Sequence, residues 1–133
     1  MLVYDGDCGF CSRAVQVVLS RDLRRTLRFA ARDGVAGRAV RERHPELATV
    51  ESLLWVEVVD GVERVRVLSD AALAAAVYLG GGWRLAGLIG LAVPRLIRDR
   101  VYTIVARYRK RVFGPADQSC LVIPASERSR FLP

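Results

Sequence analysis

Cys8 and Cys11 are the residues whose type and spacing could do chemistry. They lie in Tyr4-Asp5-Gly6-Asp7-Cys8-Gly9-Phe10-Cys11-Ser12 and are two of the chain's three cysteines. An apolar run, Met1-Leu2-Val3-Tyr4, leads into this stretch. A helical pattern leaves it: Ala14, Val15, Val17, Val18 and Leu19 are apolar, while Arg13, Gln16, Ser20 and Arg21 are polar. Strand, tight turn, C-x-x-C and helix together point to a redox pair. Cysteines three residues apart on a first helical turn share a face and can close a disulfide without much strain. The first of them meets unpaired backbone N–H groups and the positive helix end, which lower a thiol pKa. Cys8 is therefore the expected nucleophile. Cys11, one turn in, is the expected buried resolving thiol.

Two carboxylates flank the pair, and an ionised carboxylate nearby raises a thiol pKa. Asp7 is expected to cap the helix, its oxygen accepting a backbone N–H. For Asp5 two roles stay open at this point. It either ties down the Gly6 turn or exchanges a proton with Cys11. Gly9 and Phe10, between the cysteines, are expected to influence the reduction potential and the contacts with substrate.

At these residues the chain resembles the DCC family of predicted thiol-disulfide oxidoreductases, named for its Asp-Cys-Cys residues. The resemblance rests on Tyr4-Asp5-Gly6-x-Cys8-x-x-Cys11. It continues through Ser69-Asp70-Ala71, Val93-Pro94-Arg95, Asp99-Arg100-Val101-Tyr102, Arg107-Tyr108-Arg109, Phe113-Gly114 and Cys120. It implies a thioredoxin-like fold with Cys8 and Cys11 as the redox pair.

The elements that must position the pair follow from the pattern. Met1–Tyr4 reads as a strand buried on both faces. A first helix runs from Gly9/Phe10 to about Arg21. Leu27–Ala30 reads as a second strand, and Val35 to about Arg43 as a second helix that Pro45 ends. A strand–helix–strand unit of this size implies a parallel pair. Ser52–Val59 and Val62–Leu68 flank Asp60-Gly61, a strong hairpin signal. Val65 and Val67 alternate with Arg64 and Arg66, as on an outer strand with one wet face. Ser69 or Asp70 is expected to cap a third helix, Ala71 to about Leu79, ended by Gly80-Gly81-Gly82. The order is βαβαββα, a thioredoxin/glutaredoxin-like α/β core. Such enzymes usually place a cis-proline just before the third strand. Here that place is Thr49-Val50-Glu51-Ser52, without proline. Glu51 and Ser52 are expected near Cys8, in contact with substrate.

A helical extension and tail over 83–133 follow the core of 1–80. Trp83–Val93 is apolar and helical in pattern. Pro94 starts a further helix with Leu96, Ile97, Val101, Ile104, Val105 and Tyr108 at helical spacing. That stripe is expected to pack on the core, with Arg95, Arg98 and Arg107 facing out. A membrane-surface helix is the second account of the same composition. Pro115 to Pro133 reads as an irregular tail.

Length and composition bound the rest. At 133 residues the chain is read as one domain, 1–133, with a real core. Apolar residues make up 52% and charged residues 26%, as in soluble globular proteins. The longest weakly polar run, Leu85 to Val93, falls far short of the ~20 residues of a membrane span. The chain opens on a strand pattern without a basic leader region. The cysteines are too few for a disulfide scaffold, so a reducing, cytoplasmic setting is expected. The net charge of +7 invites a nucleic-acid reading. It is discounted, because Lys110 is the only lysine and the arginine excess reads as composition bias.

The third thiol, Cys120, reads as a small buried apolar residue. The sharper account makes it a second resolving cysteine. Cys8, Cys11, Cys120 and the only histidine, His44, also have the Cys3His stoichiometry of a zinc site. A single C-x-x-C is only half a zinc signature, so no metal is assigned. The expected activity is thiol–disulfide exchange with a protein or small-molecule disulfide and an outside thiol reductant, with no bound cofactor. The alternative is a non-catalytic module with a structural zinc or a basic docking surface.

Overall fold

The computed structural model describes residues 1–6, 9–50, 52–113 and 123–133, with residues 9, 10 and 109–113 described in backbone only. Asp7, Cys8, Glu51 and Cys120 lie outside the described residues. The core elements are β1 (Leu2–Tyr4), α1 (Gly9–Arg21), β2 (Phe29–Ala31), α2 (Val35–Arg43), β3 (Leu54–Val59), β4 (Val62–Val67) and α3 (Leu68–Leu79). Beyond them come α4 (Gly81–Ala92), α5 (Arg95–Phe113) and β5 (Phe131–Leu132). The order βαβαββα is thus present, with a helical extension after it.

The sheet runs β4-β3-β1-β2-β5. β1 pairs parallel with β2, Val3 opposite Ala30, and antiparallel with β3, Val3 opposite Leu54. The strand period of two sorts these residues onto two faces. Leu2, Tyr4, Phe29 and Trp55 point to one face, where Cys11 and Val15 of α1 and Ala71, Ala74 and Ala75 of α3 cover them. Val3, Ala30, Leu54 and Val56 point to the other, where Val40 of α2 and Leu47 complete a second core layer. Such a three-layer arrangement needs β1 buried on both sides, and Leu2 and Val3 are each 1% exposed. α2 lies hard against the end of β2: a Cβ on Gly37 would stand 2.2 Å from the Ala31 carbonyl oxygen. The β3–β4 hairpin turns at Asp60 and Gly61, both at positive φ (53° and 77°), which an Asp-Gly pair tolerates.

Four expectations change. Ser69 and Asp70 do not cap α3. β4 runs directly into the helix, Val67 occupies the capping position without a side-chain bond, and both residues lie inside the first turn. Gly80 ends α3, but Gly81 already belongs to α4. The tail is not irregular throughout. A 3-10 helix spans Ala125–Arg130, and β5 then extends the sheet parallel to β2, with Phe29 opposite Phe131. Finally, the α5 stripe packs on the core only in part: Ile97, Val101 and Val105 border a groove against α1 and α3. Leu96 is 81% exposed and Ile104 55%, and Ile97, Val101, Val105 and Tyr108 are exposed as well.

A buried ion pair fastens the tail. Arg130 and Asp22 bond side chain to side chain, with residues 6% and 4% exposed. Arg130 also donates to the Leu27 carbonyl (2.9 Å) and to Glu127 (2.8 Å). Asp22 accepts from the Tyr78 hydroxyl (3.1 Å) and from the Arg25 and Leu27 backbone N–H groups. Phe131 then stacks on Phe29, with ring centroids 5.0 Å apart. The final residue closes onto α2, where Ala36 N–H donates to the Pro133 carbonyl (2.8 Å).

Candidate active site at the carboxyl end of β1

β1 ends at Tyr4, Asp5 and Gly6 make the turn, and Gly9 opens α1. The carboxyl end of a parallel strand followed by a helix is where α/β sheets gather their ligand-binding groups. Cys11 stands in the first turn of α1 and is fully buried (0% exposed) among Val15, Leu53 and Ala71. The burial expected of Cys11 is thus present. Gly9 and Phe10 are the first two residues of α1. Helix geometry leaves the first N–H groups of any helix without intrahelical acceptors.

Asp5 is held from the neighbouring strand. Arg32, the residue after β2, donates from Nη1 to its carboxylate at 3.3 Å, and their side chains are 22% and 18% exposed. The Arg32 N–H also donates to the Tyr4 carbonyl (2.7 Å), carrying the β1–β2 pairing one step further. The sequence reading did not single out Arg32, since nothing local ties it to Asp5. The parallel pairing alone brings them together. Burial pushes the Tyr4 phenol above its ordinary pKa, so Tyr4 adds no negative charge near the turn.

Ser52 arrives at the same end from β3. It is buried, and its hydroxyl bonds the Leu53 carbonyl (3.2 Å) and accepts from the Leu68 N–H (3.3 Å). Leu68 takes a left-handed φ of 52° as β4 turns into α3. Ser52 therefore joins the approach to β3 to the start of α3. A polar cluster adjoins it: Ser69 donates to Asp99, and Arg98 bonds Asp70 (2.6 Å), Ser69 (3.3 Å) and the Val93 carbonyl (2.9 Å). Arg98 was expected to face out. Its side chain is only 13% exposed because Asp70 and Ser69 hold it inward. Arg95 spans Asp70 and Asp99, 3.4 Å from each. The Arg95/Asp99 spacing of four residues is the only sequence signal that could have found this cluster.

Beside these groups lies an apolar groove of about 520 Å³, lined by Ala14, Leu53, Leu73, Val93, Ile97 and Val101, among others. It runs between α1, α3 and α5.

His44 is elsewhere. Its ring nitrogens lie 3.1 Å from Glu46 and 3.1 Å from Glu63. Glu63 pairs with Val58, four residues along β3 from the Leu54 that faces Val3. At ~3.3 Å per strand residue, His44 sits roughly 13 Å down the sheet, at the end away from Asp5. The described residues therefore do not bring His44 and Cys11, two members of the zinc alternative, together. Arg43 donates to the Glu63 carboxylate and holds it below the usual carboxylate range, so Glu63 stays an ionised partner for His44. Among the described residues, no three of His, Cys, Asp and Glu converge as a metal site.

Residues 2–115 match the family model of the DCC1-like thiol-disulfide oxidoreductases. An uncharacterized protein of Bacillus subtilis, YuxK, is 33% identical over 133 residues, covering 100% of this chain and 93% of its own. A chloroplastic DCC family protein of Arabidopsis thaliana is 28% identical over 121 residues, covering 90% of this chain and 67% of its own. No solved structure gives a significant match.

Proposed function

The chain belongs to the DCC1-like thiol-disulfide oxidoreductase family, and on that premise we propose that it reduces or exchanges disulfides through Cys8 and Cys11. The observation that carries the reading is the fully buried Cys11 in the first turn of α1, directly beyond β1.

The Cys8 thiolate attacks one sulfur of a substrate disulfide. The substrate S–S bond breaks, a mixed disulfide forms, and the departing thiolate takes a proton from solvent. Cys11 loses its proton, attacks the Cys8 sulfur and expels the second substrate thiolate. Two electrons have passed to the substrate, and Cys8–Cys11 is left as a disulfide. An outside thiol reductant returns both electrons. No bound cofactor enters this cycle. The N–H groups of Gly9 and Phe10 stabilise the Cys8 thiolate. Asp5, held by Arg32, takes the Cys11 proton at the resolving step. Glu51 contacts the substrate backbone where related folds use a proline, whereas Ser52, expected to share that role, is buried and instead ties this approach to α3. The protein is a disulfide reductase of a reducing compartment, and the cytoplasm is the setting proposed.

Cys11→Ser tests the order of events. It should trap the substrate on Cys8 as a mixed disulfide that dithiothreitol releases, seen by intact mass after incubation with oxidised insulin. A variant that forms no adduct, or one that turns over at the parent rate, would contradict the assigned roles.

A further inference from the structure

α4 and α5 present an apolar surface with no cover among the described residues. Leu85 (61%), Leu88 (48%) and Ile89 (61%) of α4 are exposed at helical spacing. On α5 the exposed apolar residues fall on two flanks. Leu96 and Ile104 stand with Arg100, Thr103 and Arg107 on one side. Ile97, Val101 and Val105 border the apolar groove on the other. Surface apolar residues are ordinarily scattered, and a run on two consecutive helices, both packed against α3, marks an interaction surface.

Charge selects the occupant. The two helices carry eight basic residues and one acid, Asp99, which Arg95 and Ser69 already engage. Exposed Arg84, Arg100 and Arg107 flank the apolar positions. A second copy packed on this face would set arginines against arginines. A folded acidic protein would cover one flank of α5, whereas a deformable apolar layer covers both. α4 has 12 residues, about 18 Å of helix, against a hydrocarbon core of about 30 Å. Among the described residues no helix is long and apolar enough to cross a membrane. The helices can therefore lie only in the plane of an interface, apolar side chains down and arginines at headgroup level. Trp83, 45% exposed at the start of α4, is the residue type that favours that level.

We propose that the α4–α5 face binds the surface of an anionic membrane. The proposal is independent of the redox cycle, and it would present the thiol pair to disulfides at a bilayer.

Flotation with vesicles of phosphatidylcholine and phosphatidylglycerol, against pure phosphatidylcholine, tests it on the full chain. Binding should need the anionic lipid and weaken with salt. Arg100→Ser and Arg107→Ser should each weaken it roughly fivefold. Ile89→Glu with Ile104→Glu should weaken it by about tenfold or more, since both side chains are exposed and leave the core intact. Trp83 emission should shift to the blue on binding, while buried Trp55 stays silent, so Trp83→Phe should remove the shift. No flotation with anionic vesicles overturns the proposal. So does flotation that survives the double glutamate variant. A dimer that Ile104→Glu dissociates, without vesicle binding, would assign the face to a second copy instead.

Discussion

Cys8→Ser should abolish disulfide reduction, lowering the rate of a coupled insulin assay by roughly a hundredfold or more. The attacking species is a thiolate, and a serine hydroxyl is essentially un-ionised at neutral pH. The loss should exceed that of any other single substitution, because both later steps act on the bond that Cys8 forms. Asp5→Asn should do less and act differently. It leaves the attacking sulfur in place and removes a proton acceptor for the second step. Its deficit should therefore shrink as pH rises and Cys11 ionises without help. A Cys8→Ser protein that still reduces insulin at the parent rate would remove the proposed mechanism altogether.

The second large effect concerns stability. Arg130→Ala should destabilise the fold by about 3–5 kcal/mol, the usual cost of stranding one partner of a buried ion pair. Asp22 would keep its bonds to Tyr78 and two backbone N–H groups, but its side chain is 1% exposed and its only charged partner among the described residues would be gone. Arg130 also lies over the Phe29 ring, 5.2 Å from its centroid, so packing is lost with the charge. Removing both charges, in Asp22→Asn with Arg130→Met, should recover part of the loss. Urea denaturation with a constant slope measures both. A change below about 1 kcal/mol for Arg130→Ala would mean that the tail does not hold the sheet edge.

Much of this architecture was legible in the sequence, for local reasons. β1 is a short apolar run before a turn, the hairpin is announced by Asp60-Gly61, and α1 has a clear apolar face. Each signal lies within a few residues of the structure it specifies. What was not legible depends on distant pairing. β5 is two residues long and too short to show alternation, and its partner β2 lies about a hundred residues earlier. Arg130 reads as one more surface arginine until Asp22 is seen beneath it. Arg32 finds Asp5 only through the parallel register of β1 and β2. The α5 stripe shows a subtler gap. Periodicity establishes that a helix has an apolar face, not what covers it, and Leu96 and Ile104 remain exposed. The capping assignment for Ser69 and Asp70 failed because Leu68 turns the chain at positive φ and starts the helix earlier. Both side chains then serve the Arg98 and Asp99 cluster instead. The burial of Cys11 was legible, because it stands four residues before Val15 and so on the apolar face of α1.

The most direct test of the central claim is a thiol count by intact mass. The protein is oxidised with glutathione disulfide, unfolded, alkylated and peptide-mapped, alongside samples given reductant or a chelator alone. The account predicts that Cys8 and Cys11 resist alkylation after oxidation and become reactive together only after reductant. Two thiols that stay alkylatable after oxidation, or that react only once the chelator has released zinc, would contradict it.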